Sequence, residues 1–379
     1  MTPLEGLRVI DMSRILAGPW AGQAFADLGA DVIKVESPKG DDTRQWGPPF
    51  IERDEDRSAA YFYSANRGKR SICVDFTSDD GQDTMRKLVA TADVLIENYK
   101  LGGLAKYGLD YQTLSAVNPK LVYCSITGFG QTGPYASRAG YDYLIQGMSG
   151  LMSITGEPDG APQRVGVAVT DLFAGLYCVI GAQAALAQRD KTGRGQHLDI
   201  SLLDGATCIL ANQAMNYLTT GSAPVRTGNY HPNLVPYQVF EASDGHIIIA
   251  TGNDGQFHRL CDVLELPELK SDPRFTDNRA RIKNRPALID LLEGATRCWP
   301  GAELMAALEV AMIPAGPINS IEDTLRDPHI AARSLNIKPG GVPGVRNPWQ
   351  FSASELRLER TAPKLGEHTD EILKEIGKR

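Results

Sequence analysis

The chain has 379 residues, 42% of them hydrophobic and 22% charged, which is the composition of an ordinary soluble globular protein; the length favours two domains, or one large domain with an appended lobe. A formal charge of -7 arises from 46 acidic against 39 basic residues, and no basic block could neutralise a phosphate backbone, so nucleic acid is excluded as an expected partner. Cys73, Cys124, Cys178, Cys208, Cys261 and Cys298 stand far apart with no C-x-x-C pair and read as reduced core residues. Met1 leads straight into a strand-like segment without signal-peptide character, and no apolar stretch reads as long enough to span a bilayer, so the expectation is a cytoplasmic protein without a membrane partner.

From Leu7 to Ser201, short β-branched runs alternate with helical patterns, which predicts a parallel sheet covered by helices. Six strands are expected: Arg8–Asp11, Asp31–Glu36, Ser71–Asp75, Asp93–Glu97, Leu121–Ile126 and Gln196–Ser201, each apolar enough to be buried on both faces. Ser78 or Asp79 can cap a helix ending near Thr91, and Asn118-Pro119 stops the helix before the fifth strand. An apolar helix over Ala206–Leu218 is followed by Gly221–Pro236, a polar stretch with the look of a linker or lid. Strands at Tyr237–Phe240 and Ile247–Ala250, with helices over Gln256–Val263, Pro286–Cys298 and Gly301–Ala311, suggest a smaller α+β lobe. A tail after Lys338 ends in a helix over His368–Gly377. The expected division is 1–220 as a large, doubly wound, Rossmann-like α/β domain, 221–330 as a small α+β domain, and 331–379 as a segment returning to the large domain.

Glu36 ends the second strand where a dinucleotide fold places its ribose-binding acid, but the preceding turn, Ser13-Arg-Ile-Leu-Ala-Gly-Pro-Trp20, lacks G-x-G-x-x-G, and Pro19 removes an amide that could hold pyrophosphate. The six histidines carry no H-E-x-x-H or C-x-x-C companions, and no G-x-S-x-G is present. These absences argue against NAD, metal and serine-hydrolase chemistry. Asp171, in Gly166-Val-Ala-Val-Thr-Asp-Leu-Phe-Ala-Gly175 ahead of an amphipathic helix over Leu172–Arg189, is the more informative acid. On local sequence it reads first as a helix cap. A second reading makes it a carboxylate that attacks a thioester, with nearby glycines admitting substrate and leaving amides for an oxyanion.

Several motifs bear on that choice: Ser13–Pro19, Ala26–Glu36, Asn66-Arg-Gly-Lys-Arg-Ser71, Asp93-Val-Leu-Ile-Glu-Asn98, Lys191-Thr-Gly-Arg-Gly-Gln196, Ile313-Pro-Ala-Gly-Pro317 and Leu365–Glu371. In order and spacing the chain resembles the class III CoA-transferases, the family of formyl-CoA transferase and carnitine CoA-transferase. The resemblance implies an interlocked homodimer, coenzyme A and acyl-CoA as substrates without a tightly bound cofactor or metal, and Asp171 as the nucleophile that passes through acyl anhydrides and an aspartyl-CoA thioester. It implies CoA contacts at Leu16 and Ala17, at Val74, Asp75, Phe76 and Thr77, and at Asn98, Tyr99, Lys100 and Lys106. Leu16 stands where formyl-CoA transferase has glutamine, and Gly228–Tyr237 lacks that enzyme's glycine run, which weakens a formyl-CoA:oxalate assignment. α-Methylacyl-CoA racemases of the same fold use a Gly-His-Asp triplet where this chain has Gly140-Tyr141-Asp142, so the racemase reading loses its base. Tyr141 and Asp142 are candidate acyl-site residues. The likeness points to transferases that use succinyl-CoA and a dicarboxylic acceptor, with Arg14, Arg44 or Arg164 as the cation for a second carboxylate.

Overall fold

The computed structural model describes residues 1–378. The chain forms two compact units: one contains Met1–Met152, Arg164–Ser222 and the chain from Pro328 onward, the other Ser153–Gln163 and Ala223–Asp327. Ser153–Gln163 therefore belongs to the smaller unit although it lies within the first 220 residues.

The first unit is built on β1 (Arg8–Asp11), β2 (Asp31–Glu36), β3 (Phe50–Arg53), β4 (Asp56–Ala59), β5 (Arg70–Cys73), β6 (Val94–Glu97), β7 (Val122–Thr127) and β8 (His197–Ser201). Six of these make one parallel sheet in the order β5-β2-β1-β6-β7-β8, each matching an expected strand to within two residues at either end. β3 and β4 form a separate antiparallel hairpin; its turn, Arg53-Asp-Glu-Asp56, and its charged strands gave no strand signal. Alternate sheet residues face opposite ways. Val9, Val32, Val94 and Val122 pack beneath the helices Ala17–Asp27 and Val169–Thr192, while Ile10, Ile33, Leu95 and Tyr123 pack against Met85, Leu88 and Val89 of Asp79–Ala90. Each such fully buried aliphatic side chain contributes about 1.5–3 kcal/mol. Ser78 caps Asp79–Ala90 by accepting from the Gly81 amide.

The chain winds outward from β1 through β2 to β5, then resumes on the other side with β6, β7 and β8, so the winding reverses between β1 and β6. A doubly wound sheet opens a crevice at the carboxyl ends of the strands flanking such a reversal. Here those ends lead into Ser13–Ala17 and Asn98–Tyr99, joined by the Met12 amide donating to the Ile96 carbonyl at 2.9 Å.

Two expectations about helices are corrected. The single helix over Ala206–Leu218 is two, Leu202–Cys208 and Ala211–Thr220, broken where Ala211 takes a φ of 42°. Val169–Thr192, at 24 residues, is by length and composition able to cross a membrane, contrary to the absence of any such stretch. Its Ala174, Cys178, Ala182 and Ala185 face is buried in the core of the first unit, the packing of a core helix. Of the cysteines, Cys124, Cys178 and Cys261 are buried, whereas Cys208 and Cys298 are exposed rather than core residues.

The tail is held to the first unit by charge. Arg67 grips Asp27 through two bonds of 2.9 and 2.7 Å, and Asn347 donates to the same carboxylate at 2.7 Å. Arg70 pairs with Asp31, Glu371 and Glu375, the last two on or within the terminal helix Thr369–Glu375. In the second unit β9 (Tyr237–Ala242), β10 (Gly245–Ala250) and β11 (Ala315–Pro317) form an antiparallel sheet. It packs on the helices Asp254–Val263, Arg285–Thr296 and Gly301–Val310 through Phe240, Ile247, Phe257, Leu292 and Leu304.

Helix Ala17–Asp27 approaches Val169–Thr192 so closely that a Cβ on Gly175 would sit 2.6 Å from the Ala17 carbonyl oxygen. Gly175→Ala is expected to destabilise the protein by about 1–3 kcal/mol, since the obstacle is backbone that cannot swing aside. A urea titration checks it, with a lower midpoint at unchanged slope as the outcome.

Candidate active site

Beyond the carboxyl ends of β1, β6 and β7 lies a cavity of about 520 Å³. Its wall is assembled from the turn after β1 (Arg14, Leu16, Ala17), the loop after β5 (Phe76, Thr77), the loop after β6 (Asn98, Tyr99, Lys100, Lys106) and the segment after β7 (Arg138, Tyr141). Asp171 completes it. Arg14, Lys100, Lys106 and Arg138 give the wall a positive rim, suited to an anionic ligand.

Asp171 lies in the first turn of its helix and does not cap it. The helix starts at Val169, with Ala168 at the cap position and no side-chain cap bond. The capping duty falls to Asp142, whose Oδ1 accepts from both the amide and the hydroxyl of Thr170 at 2.9 Å. Gln146 donates to the other Asp142 oxygen at 2.8 Å. Asp171 thus keeps its own carboxylate for the cavity. Desolvation, and after it the negative charge of Asp142, pushes the Asp171 carboxyl up to about 7. The helix field favours the charged form at this position, but it acts on a group that has lost much of its water and faces a second carboxylate, and these two effects win.

Eleven of the fourteen residues singled out from the sequence line the cavity. Three do not. Val74 is a buried core residue. Asp75 is exposed and bonds back to its own loop, accepting from the Thr77 amide and hydroxyl. Asp142 is committed to Thr170 and Gln146. Among the arginines considered for a second carboxylate, Arg44 is buried and forms a bidentate pair with Glu36 at 2.8 and 2.7 Å, and its guanidinium lies 3.7 Å from the centre of the Phe62 ring. That pairing also accounts for Glu36 without a nucleotide. Arg164 donates to the Val165 and Gly166 carbonyls and does not reach the cavity wall. Arg14 does, pairing loosely with Asp42 at 3.2 Å.

The loop after β6 is anchored from below. Glu97 accepts from the Tyr99 amide at 2.7 Å, and burial pushes its carboxyl up to about 7. Asn98 bonds both the amide and the carbonyl of Arg14, at 2.8 and 2.7 Å, tying the loops after β1 and β6 together. Tyr99 meets Phe76 edge-on at 5.7 Å and lies under the Arg14 guanidinium at 5.3 Å.

Three residues escaped the sequence reading. Arg138 stacks on Phe129 and Tyr135 at the cavity wall, two residues before the Gly140-Tyr141-Asp142 triplet. Tyr61 lies within the field of Asp171: burial, then the charges of Asp171, Asp142 and Asp41, hold its phenol above the ordinary range. Trp46 meets Tyr61 edge-on at 5.3 Å. Both belong to the β3–β4 neighbourhood that gave no strand signal, so nothing in the sequence tied them to Asp171. Among the described residues no three His, Cys, Asp or Glu side chains are grouped to hold a metal ion.

A doubly wound sheet with a cation-rimmed cavity at its switch point and one half-buried, unpaired carboxylate on the wall defines an α/β enzyme for an anionic small molecule. Sequence and structural comparisons narrow this to one family. The pattern of "CoA-transferase family III" matches residues 4–369. The chain is 54% identical to a succinate–glutarate CoA-transferase of Agrobacterium fabrum over 99% of its own length and 96% of the relative's. A succinyl-CoA:glutarate CoA-transferase of Mus musculus is 42% identical, over 99% of this chain and 87% of that one. The crystal structure of a CAIB/BAIF family protein from Brucella suis superposes with a TM-score of 0.90 at 58% identity, covering 99% of both chains. The chain belongs to CoA-transferase family III, and it is a CoA-transferase.

The Asp171 carboxyl is expected to titrate near pH 7 in a ¹³C spectrum of aspartate-labelled protein, assigned by difference against Asp171→Asn. Asp142→Asn removes the neighbouring charge and is expected to move that titration to lower pH, with the desolvation part remaining. A titration in the ordinary aspartate range would contradict this environment.

Proposed function

We propose that the protein moves coenzyme A from succinyl-CoA to a dicarboxylic acid of glutarate type, with Asp171 as nucleophile. The observation that carries the mechanism is the one unpaired carboxylate on the cavity wall, at a cationic rim that suits the phosphates of CoA. The substrate pair is supported by the relatives in Agrobacterium and mouse, which are named for succinate or succinyl-CoA and glutarate.

In this reading the Asp171 carboxylate attacks the thioester carbonyl, breaking its C–S bond to give a mixed anhydride and CoA thiolate. The thiolate attacks the aspartyl carbonyl, releasing the donor acid as a carboxylate and leaving an aspartyl-CoA thioester. The acceptor carboxylate then attacks that carbonyl and expels the thiolate, and the thiolate takes the acceptor acyl group, restoring Asp171. No net proton is consumed, and the thioester's free energy passes from donor to acceptor. Desolvation serves the step by making the ionised carboxylate a stronger nucleophile than it would be in water. Lys100 and Lys106 hold CoA phosphates, Leu16 and Ala17 meet the thioester end, and Arg14 receives the distal carboxylate.

The active form is proposed to be a homodimer. Ile180, Met215, Tyr217 and Leu218 are exposed on the helices Val169–Thr192 and Ala211–Thr220, apolar surface of the kind a partner subunit covers. Light scattering is expected to give twice the chain mass.

Intact-mass spectrometry of protein incubated with succinyl-CoA is expected to show a covalent adduct on the wild type and none on Asp171→Asn; adducts on both would sink the mechanism. Because only the ionised form attacks, kcat/KM is expected to rise with pH through about 7 and to level off above it, following the Asp171 carboxyl of the free enzyme. Lys100→Met or Lys106→Met should raise KM for succinyl-CoA roughly tenfold, the loss of a charge-assisted bond of about 1.5 kcal/mol. A panel of dicarboxylate acceptors then separates glutarate from its neighbours, and oxalate as the preferred acceptor would overturn the substrate assignment.

A further inference from the structure

The turn after β1 is held in a conformation its own sequence does not favour. Ile15 has a φ of 73°, and a β-branched residue in the left-handed region is a steric outlier that persists only when its surroundings impose it. What imposes it can be read from the backbone hydrogen bonds. The Ser13 amide donates to Asp11 at 3.0 Å, and the Ser13 carbonyl accepts from Lys34 Nζ at 2.9 Å. Asn98 takes both polar groups of Arg14. The Ile15 amide is directed at the Asp41 carboxylate, 3.4 and 3.3 Å from its two oxygens. Lys34 Nζ closes the bracket on Asp41 Oδ2 at 3.0 Å, and both side chains of this pair are at most 1% exposed.

A buried ion pair carries a desolvation cost that often cancels its Coulomb energy, so this one adds little obvious stability. What it does is geometric. It connects the carbonyl of residue 13 to the amide of residue 15, and Asp41 is itself fixed by the Thr43 amide and hydroxyl at 3.0 and 2.8 Å and through its own amide by Glu36 at 3.1 Å. Immediately after Ile15, the Leu16 and Ala17 amides begin a helix that has no side-chain cap, and they donate to no group of the described chain. Both residues line the cavity that holds Asp171.

Resting on the mechanism proposed above, we infer that Asp41, backed by Lys34, is a positioning residue for catalysis: it holds Ile15 left-handed so that the Leu16 and Ala17 amides face the thioester carbonyl that Asp171 attacks. Charge developing on that carbonyl oxygen is then met by donors already in place. Asp41 touches neither substrate nor Asp171 in this scheme. Its effect falls on the chemical step, because the phosphate-holding residues sit on other loops.

The test is a double-mutant cycle between residues 41 and 15, read in kcat, in KM for succinyl-CoA and in the Kd of free CoA by calorimetry. Asp41→Asn is expected to lower kcat by about 10²-fold, the loss associated with a misplaced oxyanion donor, while the Kd of CoA is unchanged. Glycine adopts the left-handed region without a Cβ penalty. In the Ile15→Gly background Asp41→Asn should therefore cost roughly tenfold less than it does with isoleucine present. Equal fold-losses in the two backgrounds, or a loss carried by KM and Kd with kcat intact, would overturn the proposal. Should Asp41→Asn fail to fold because Lys34 is stranded, Ile15→Pro carries the test with the ion pair intact. Proline fixes φ near about -65°, so kcat is expected to collapse with CoA binding retained, and a wild-type kcat would refute the idea. Covalent-adduct formation by the wild type is measured alongside. Its absence removes the Asp171 mechanism, whereas its presence with equal fold-losses removes only the role of Asp41.

Discussion

The approach of two helices at Gly175 is the constraint on which the site depends. The helix Ala17–Asp27 begins where the turn after β1 ends, and Val169–Thr192 carries Asp171 one turn before Gly175. Because residue 175 lacks a side chain, the Ala17 carbonyl lies against it, and the two helix starts share one wall of the cavity. A doubly wound sheet supplies the crevice at its winding reversal, but the sheet alone would leave Asp171 at an unspecified distance from the turn. The contact at Gly175 sets that distance. Packing of this kind resists adjustment, since interiors at crystalline density transmit a displaced backbone to their neighbours.

Around this contact the protein places an unusual amount of buried charge. Lys69 uses three bonds, to Asp11, Asn66 and the Pro19 carbonyl, at 2.7, 2.7 and 2.8 Å. Burial lowers its ammonium to about 8. Asp11 feels burial too, but Lys69 and Lys34 outweigh it and hold the carboxyl below its ordinary range. Together with Lys34–Asp41 and Arg44–Glu36 these pairs form a floor beneath the turn, fully hydrogen-bonded, where apolar residues would have given comparable stability without directional control. An apolar floor cannot grip the carbonyls of Ser13 and Pro19 or the amide of Ile15. Directional control of a loop backbone is what buried ions offer and methyl groups do not.

Much of this was legible in the sequence, and the boundary is physical. The six strands of the parallel sheet stood out because burial on both faces demands continuous apolar runs, and the caps at Ser78 and Asn118 followed from local chemistry. Roles that depend on which side chain reaches which partner across the fold were not legible. Asp142 and Asp171 both precede or open helices, and only the structure shows that Asp142 caps the helix carrying Asp171. Arg44 looks like a free cation until Glu36 is seen against it. Trp46 and Tyr61 flank a hairpin whose charged strands carry no period-two apolar pattern. The apolar run from Ala206 hides its break because a left-handed alanine at 211 leaves no compositional trace.

If Asp171 is the nucleophile proposed above, the exchange of roles between Asp142 and Asp171 also reconciles two demands that such a carboxylate normally sets against each other. A carboxylate at a helix cap is stabilised by the amides it accepts from, which lowers its proton affinity and its nucleophilicity together. Here the amide and hydroxyl of Thr170 are satisfied by Asp142, so Asp171 occupies the favourable end of the helix without surrendering its lone pairs to it. Desolvation first, and then the charge left on Asp142 acting through space, raise the proton affinity of Asp171. Under the proposed mechanism a group whose carboxyl lies at about 7 is partly ionised at neutrality, and its ionised form would attack more readily than a fully solvated aspartate. The same repulsion would be relieved in that mechanism as the negative charge of Asp171 passes into an acyl bond, so the second carboxylate would favour the covalent state over the free one.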